Sequence, residues 1–146
     1  MTRRVLHPSD FTSFSRAAFH KAIEMTKTHR AQLLVVHVLR PVMPVPGDAY
    51  ISPKIYDEIA SSAHSFAQKE LDKLLAQAKK ARLRAQGFLL EGAPHDAIIR
   101  FARARHVDLI VMGTHGRAGL AKFFVGSVAD RVVAGAPCPV LTVRGK

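Results

Sequence analysis

The sequence predicts an α/β fold: a single doubly wound domain in which helices cover both faces of a parallel sheet. Three observations carry that prediction. Short apolar runs alternate along the chain with longer stretches whose apolar residues recur every three or four positions. The run Leu33-Leu34-Val35-Val36-His37-Val38 is almost unbroken in its apolarity, as in a strand buried on both faces. The order reads β-α-β-α-β-α-β-α-β, and parallel neighbours need a crossover between them that helices of this length supply. A chain of 146 residues suits one domain with one good core.

Taken in order, Val5-Leu6-His7 forms a short first strand that begins near Arg3. Phe14, Ala18, Ala22 and Met25 then recur at helical spacing, widened by Phe19 and Ile23, with Ser13 as the candidate N-cap. Residues 33–38 make the second strand. Pro41, Pro44, Pro46 and Pro53 with Gly47 break any regular pattern over 40–54, which predicts a mobile loop. A long helix follows, with Ile55, Ile59, Ala63, Phe66, Leu71, Leu74 and Ala78 on its expected core face. Leu83 to Leu90 reads as a weaker strand interrupted by Gly87. Gly92-Ala93-Pro94 turns into a helix with Pro94 in its first turn, Ile98, Phe101 and Ala102 inward, and an Asp96–Arg100 pair outward. Leu109–Met112 is the fourth strand, a helix starts at Ser127, and Val140-Leu141-Thr142-Val143 is the last strand.

Between the fourth strand and the last helix lies the most informative segment. Gly113-Thr114-His115-Gly116 is followed, nine residues on, by Gly126-Ser127. Glycines where a strand ends and a helix begins let backbone N–H groups surround a phosphate. The segment is not a Walker A loop: Ala121-Lys122-Phe123 lacks the second glycine and the hydroxyl. No G-x-G-x-x-G string, metal-ligand histidine spacing or G-x-S-x-G nucleophile exists in the chain. In open parallel sheets ligands bind beyond the carboxyl ends of the strands, where strand order reverses. Pro8-Ser9-Asp10 ends the first strand as the glycine loop ends the fourth. The two loops flank one crevice if those strands are neighbours.

Gly-x-x-Gly-x9-Gly-Ser, preceded by Asp108-Leu109-Ile110-Val111-Met112 and followed by Val128, resembles the nucleotide-binding branch of the universal stress protein family. The N-terminal Val5-Leu6-His7-Pro8-Ser9-Asp10-Phe11-Thr12 is similar to that family's first strand and loop. His37-Val38, Gly92-x-Pro94 and Pro139-Val140-Leu141-Thr142-Val143 also fall at its positions. The resemblance implies strand order 3-2-1-4-5 and ATP at the switch point, with Mg²⁺ carried by the phosphates. Carried over, Gly113 and Gly116 let the backbone approach the phosphates. Gly126, Ser127 and Val128 offer N–H groups from the helix start, and Ser127 its hydroxyl. Asp10 accepts from the ribose hydroxyls, Val38 meets adenine through its main chain, and Pro8, Ser9 and Met112 line the pocket. The chain departs from the branch at Ala129, where a threonine is common and a hydroxyl is therefore missing.

Several residues admit two readings from sequence alone. Arg117 and Lys122 either neutralise a triphosphate or form a solvated loop face. Ser127-x-x-Asp130 is compatible with a capping box, and a cap and a phosphate can share the same orphan N–H groups. Asp10 either binds ribose or caps the first helix. His37 is expected to be a satisfied polar residue at a strand end, and Cys138, the sole cysteine, to pack at the turn before the last strand.

The chain carries 22 Lys and Arg against 11 Asp and Glu. Residues 74–146 hold 12 basic and 4 acidic residues, against 10 and 7 in residues 1–73. Such a field attracts anions. Arg100, Arg103 and Arg105, with Lys79, Lys80, Arg82 and Arg84, could make a basic face. No nucleic-acid motif accompanies it and aromatics for stacking are few, which ranks nucleic-acid binding below ATP binding. A non-nucleotide dimeric scaffold is the other alternative. No apolar run reaches the roughly 20 residues of a membrane helix, and no apolar h-region follows the N-terminus. A cytoplasmic location without membrane association is expected. The lack of metal-holding carboxylates predicts little or slow ATP hydrolysis, which suits a nucleotide-dependent switch acting on an unknown protein partner. The implied strand order leaves Val140–Val143 at a sheet edge, the expected seam of a homodimer.

Overall fold

The computed structural model describes residues 1–41, 51–114 and 126–145. Five parallel strands, β1 (Arg4–Pro8), β2 (Gln32–Leu39), β3 (Arg84–Glu91), β4 (Leu109–Thr114) and β5 (Val140–Arg144), form one sheet in the order β3-β2-β1-β4-β5. Helices α1 (Ser13–His29), α2 (Pro53–Lys80), α3 (Pro94–Ala104) and α4 (Gly126–Gly135) connect them. Strand order reverses between β1 and β4, so the first and fourth strands are neighbours and the helices that follow them, α1 and α4, pack on opposite faces.

Alternation of side chains along each strand splits the core in two. Leu6, Leu34, Val36, Ile110 and Met112 point to the α3–α4 face and pack with Ile98, Ala129 and Val132. Val5, Leu33, Val35 and Val111 point to the α1–α2 face and pack with Phe19, Ala22, Leu71 and Ala78. The central strands are apolar on both faces because both faces are covered.

The structure corrects four expectations about elements. Ser13 is the first helical residue of α1, and Thr12 holds the cap position without a side-chain cap bond. Pro53 is not part of the breaker loop but the first residue of α2, where its missing N–H costs nothing; Ser52 caps that helix by accepting from the Ile55 N–H at 3.3 Å. Gly87 does not interrupt β3. It lies mid-strand where a Cβ would come within 2.7 Å of Leu75 Cδ1, so its bareness lets α2 approach the sheet. On α2 only Ala67, Leu71 and Ala78 are buried, whereas Ile55, Ile59 and Phe66 are 47, 46 and 59 % exposed. The apolar stripe outruns the sheet: a helix of 28 residues is about 42 Å long and β3 beneath it, at eight residues, about 26 Å. Of the rest of 40–54, Arg40, Pro41, Ile51 and Ser52 lie outside helix and strand, Lys54 belongs to α2, and 42–50 lie outside the described residues.

Two glycines set the seating of α1. A Cβ at Gly113 would lie 3.1 Å from the Phe14 carbonyl oxygen. One at Gly145 would lie 2.7 Å from the same oxygen and 2.8 Å from Phe14 Cα. The first turn of α1 therefore rests on the carboxyl ends of β4 and β5, beside the crevice.

Candidate functional site

β1 leaves the sheet at Pro8, and the chain then turns sharply. The Ser9 N–H donates to the Val36 carbonyl at 2.8 Å, and Ser9 Oγ accepts from the Phe11 N–H at 3.1 Å. Phe11 takes the left-handed conformation, φ 65°, which is uncommon for a side chain of this size. The Asp10 carboxylate fastens this turn to α1. Its Oδ1 accepts from the Thr12 N–H at 2.9 Å, the Thr12 hydroxyl at 2.6 Å and the Ser15 hydroxyl at 2.5 Å. Asp10 thus has a local structural role at the entry to α1, alongside its place on the crevice wall.

His37 is a satisfied polar residue, as expected. Its ring Nδ1 lies 2.7 Å from the Ser9 carbonyl, an acceptor only, so Nδ1 carries the proton and donates. The ring stacks on Phe11 at 4.2 Å between centroids. Phe11 in turn meets Phe66 of α2 edge-on at 6.5 Å. The strained Phe11 conformation is held by these contacts.

Because β1 stops opposite Val36, β2 runs on past it. Alternate residues of a strand bond to the same neighbour. Val36 faces β1, since its carbonyl receives the Ser9 N–H, and Leu39 faces β3, since its carbonyl receives the Gly92 N–H at 3.1 Å. The peptide groups of Val38 therefore face the space left by β1, toward the crevice. Gly92 makes the turn beyond β3 with φ 126°, a conformation open mainly to glycine, and Pro94 starts α3. Asp96 pairs with Arg100 at 3.0 Å on the outer face of that helix, as its spacing predicts.

These elements enclose a recess of about 310 Å³. It brings together Pro8, Ser9, Asp10, Val38, Met112, Gly113 and Val128, all singled out from sequence. Gly116 and Arg117 lie outside the described residues. Gly126 and Ser127 open α4, and the residues before them lie outside the described ones. Gly113 is a strand residue without a positive φ, and the close approach of α1 is a further constraint that favours glycine there. Ala129 is 2 % exposed within the α3–α4 core, so its side chain packs rather than facing the crevice.

Sequence reasoning missed Ser15, Val36, Arg40, Pro94 and Ile98 among the lining residues. Ser15 and Ile98 reach the site from helices whose placement only the fold decides, whereas Arg40, at the end of β2, was legible as a cation at a strand terminus. Val36, Val38, Ile98, Met112 and Val128 line the recess with apolar side chains, and Ser9, Asp10, Ser15, His37 and Arg40 add polar ones. An apolar recess with a few polar groups suits a small ligand with an apolar part and a polar part. Among the described residues no group of three or more His, Cys, Asp or Glu could hold a metal ion.

Two further titratable groups have shifted protonation equilibria, His7 under the crevice end of β1 and Cys138 in the turn before β5. His7 is fully buried, with Nδ1 2.9 Å from the Val111 carbonyl and Nε2 lacking any hydrogen-bond partner. Burial lowers its pKa to about 4, against the smaller opposing effects of the Val111 carbonyl and the Asp10 charge. Cys138 is partly buried against the α3–α4 core, as expected of a packing residue. Burial, with the Asp108 charge, pushes its thiol up, away from the reactive thiolate.

The model of the universal stress protein family matches residues 1–144. The universal stress protein in the QAH/OAS sulfhydrylase 3′ region of Thermus aquaticus is 35 % identical over 144 residues, covering 99 % of this chain and all of that protein. Among solved structures, MJ0577 of Methanocaldococcus jannaschii superposes with a TM-score of 0.81 at 21 % identity, covering 100 % of this chain and 98 % of that one. A universal stress protein in complex with cAMP gives 0.74 at 23 % identity, over 99 and 98 % of the two chains. The Archaeoglobus fulgidus universal stress protein in complex with dAMP gives 0.64 at 22 %, over 97 % of each. With its strand order, its crevice at the β1/β4 switch point and a family model matched from residue 1 to 144, the chain belongs to the universal stress protein family.

Proposed function

We propose that this protein binds ATP in the β1/β4 crevice and acts as a nucleotide-dependent switch with little or slow hydrolysis. The observation that carries the reading is the convergence of Pro8, Ser9, Asp10, Val38, Met112, Gly113 and Val128 on one recess at the switch point. The adenine lies against the apolar side chains of the recess, where the Val38 peptide groups read its edge. Asp10 accepts from the ribose hydroxyls. The first N–H groups of α4 at Gly126, Ser127 and Val128 take the phosphates, since a helix start carries unpaired donors and a partial positive charge. Arg40, and Arg117 beyond the described residues, add compensating charge, and Mg²⁺ rides on the phosphates. That two structural neighbours are complexes with cAMP and dAMP supports an adenylate-sized ligand. Among the described residues the recess offers Asp10 as its one acid, committed to Thr12 and Ser15 and assigned to the ribose, so none of them places a second carboxylate to hold metal at the γ-phosphate.

The same reading includes a cytoplasmic homodimer joined through β5, the open edge of the sheet, that presents a nucleotide-dependent surface to a protein partner. The test is to denature freshly purified protein and identify released nucleotide, with calorimetry against ATP and ADP. ATP or ADP released from wild type and absent from Gly126→Asp, which puts a carboxylate at the phosphate position, is the expected result. Absence from both, with no heat of ATP binding, overturns the proposal in favour of a non-nucleotide scaffold.

A further inference from the structure

The parallel sheet has a second end, opposite the crevice, and the fold gathers cations there. Arg3 and Arg4 begin β1, Lys27 and Arg30 lie where α1 turns into β2, and Arg82 and Arg84 lie where α2 turns into β3. In the sheet Arg4 and Arg84 flank Gln32 in register, about 10 Å apart across two strand spacings. The α3–β4 turn contributes Arg103, Arg105 and His106. A recess of about 630 Å³ opens among Arg3, Arg4, Arg30, Arg84 and His106. The acid at this end is Asp108, and it is committed to the backbone: its Oδ2 accepts from the N–H groups of Arg3 at 2.8 Å and Arg4 at 3.0 Å. Among the described residues the ion pairs are Lys21–Glu24, Lys73–Glu70 and Arg100–Asp96, and none involves these cations.

Helix dipoles account for part of this. The carboxyl ends of the helices point this way and favour Lys27, Lys79, Lys80 and Arg103 in their last turns. They do not account for arginines that start strands. Arg30 and Arg82 follow directly on helix ends in left-handed backbone, φ 51° and 63°, where glycine or asparagine is ordinary.

We propose that this end of the sheet docks on the phosphate backbone of duplex nucleic acid. The chemistry favours that partner. Guanidinium forks match phosphate oxygens bidentately. The large apolar side chains exposed toward this end among the described residues are Met1 and, in the last turn of α4, Val133, too little to anchor in a membrane or to make the apolar centre of a protein interface. Phe88 and Phe101, the nearby aromatics, lie under the Arg105 guanidinium, 4.5 and 5.4 Å from it, and offer no open face for stacking on single strands. The site is separate from the crevice, so neither reading depends on the other.

From β3 to β4 the basic edge spans about 14 Å, three strand spacings. That covers about eight duplex charges, about four of them on the facing strand. Four neutralised phosphates give a slope of log K against log salt of about −3.6, or roughly a 150-fold loss between 50 and 200 mM KCl. The experiment is fluorescence anisotropy of the full-length chain with a 20-base-pair duplex over that range. The triple variant R3Q/R82Q/R84Q should flatten the slope to about −0.9. K54Q/K69Q/K73Q, an equal loss of charge on exposed positions of α2, should leave it unchanged. Thermal unfolding of both variants checks the fold, and Arg84→Gln alone, expected to reduce the slope by about 0.9, serves if the triple variant is unstable. No binding at 50 mM KCl overturns the proposal. So does equal flattening by the α2 variant, or sedimentation with phosphatidylserine vesicles without duplex binding.

Discussion

Replacing His7 by phenylalanine should remove a pH dependence that is built into the core. In the folded protein the imidazole lies between β1 and α1 with no exposure, its ring 5.5 Å from that of Phe19. It is held neutral, with a pKa of about 4 against the ordinary 6.5. Unfolding returns the ordinary value, so between those two pH values the unfolded chain binds the extra proton. Stability supported by the neutral ring is complete above about pH 6.5 and is lost as pH falls toward 4. The full difference corresponds to about 3 kcal/mol, most of which is lost by pH 4.5. At pH 7.5 the phenylalanine variant forfeits the bond to the Val111 carbonyl, about 1 kcal/mol, but also removes the unpartnered Nε2, so the two proteins should be of similar stability. The assay is urea unfolding of both proteins at pH 7.5, 6.5, 5.5 and 4.5. Taking the difference cancels the carboxylates common to both. Wild type should lose about 2–3 kcal/mol more than H7F across that range. A difference that stays constant with pH refutes the reasoning, because it would mean that His7 is protonated in the fold or solvated through opening of the β1–α1 contact.

Gly145→Ala should destabilise the protein by about 2 kcal/mol through overlap with the Phe14 backbone, read by chemical denaturation; a change under about 0.5 would show that α1 can shift. Gly113→Ala, with a looser 3.1 Å approach, should cost about 1 kcal/mol and weaken nucleotide binding by moving the start of α1, so calorimetry and denaturation should change together. Asp10→Ala should weaken ATP binding at least tenfold and destabilise the α1 entry by about 1–2 kcal/mol; unaltered affinity would remove Asp10 from the ribose. Thr142→Pro tests the dimer. The Gly145 N–H bonds inward to Thr114 at 3.1 Å, so by alternation the Thr142 N–H points to the open edge and can be removed without breaking the β4–β5 ladder. Sedimentation should show monomer for the variant and dimer for wild type.

Much of the crevice was legible because its residues are anchored to strand ends, and strand ends are visible where apolar runs stop. Pro8, Ser9 and Asp10 follow one such run, and Met112 and Gly113 close another. Gly113 shows the limit of that logic. Sequence marks it as a bare backbone position but does not show that the first turn of α1 also approaches it. The apolar stripe on α2 shows another. Periodicity finds the face that would be buried but not how far the sheet extends beneath it, so Ile55, Ile59 and Phe66 read as core and are exposed.

By itself the sequence determined the alternation of strands and helices, the doubly covered sheet and the family, because these follow from local periodicity and from glycines at fixed spacing. It also determined the net charge, but not where that charge is. Only the tertiary structure placed Ser15 and Ile98 on the crevice wall, buried His7 without a partner for Nε2, and brought Arg3, Arg30, Arg82 and Arg84 from three separate segments to one end. The reason is common to all three. A helix or strand is specified by neighbours a few residues away, whereas what faces a cavity, a core or a charged end is set by which elements pack together, and those contacts join residues far apart in the chain.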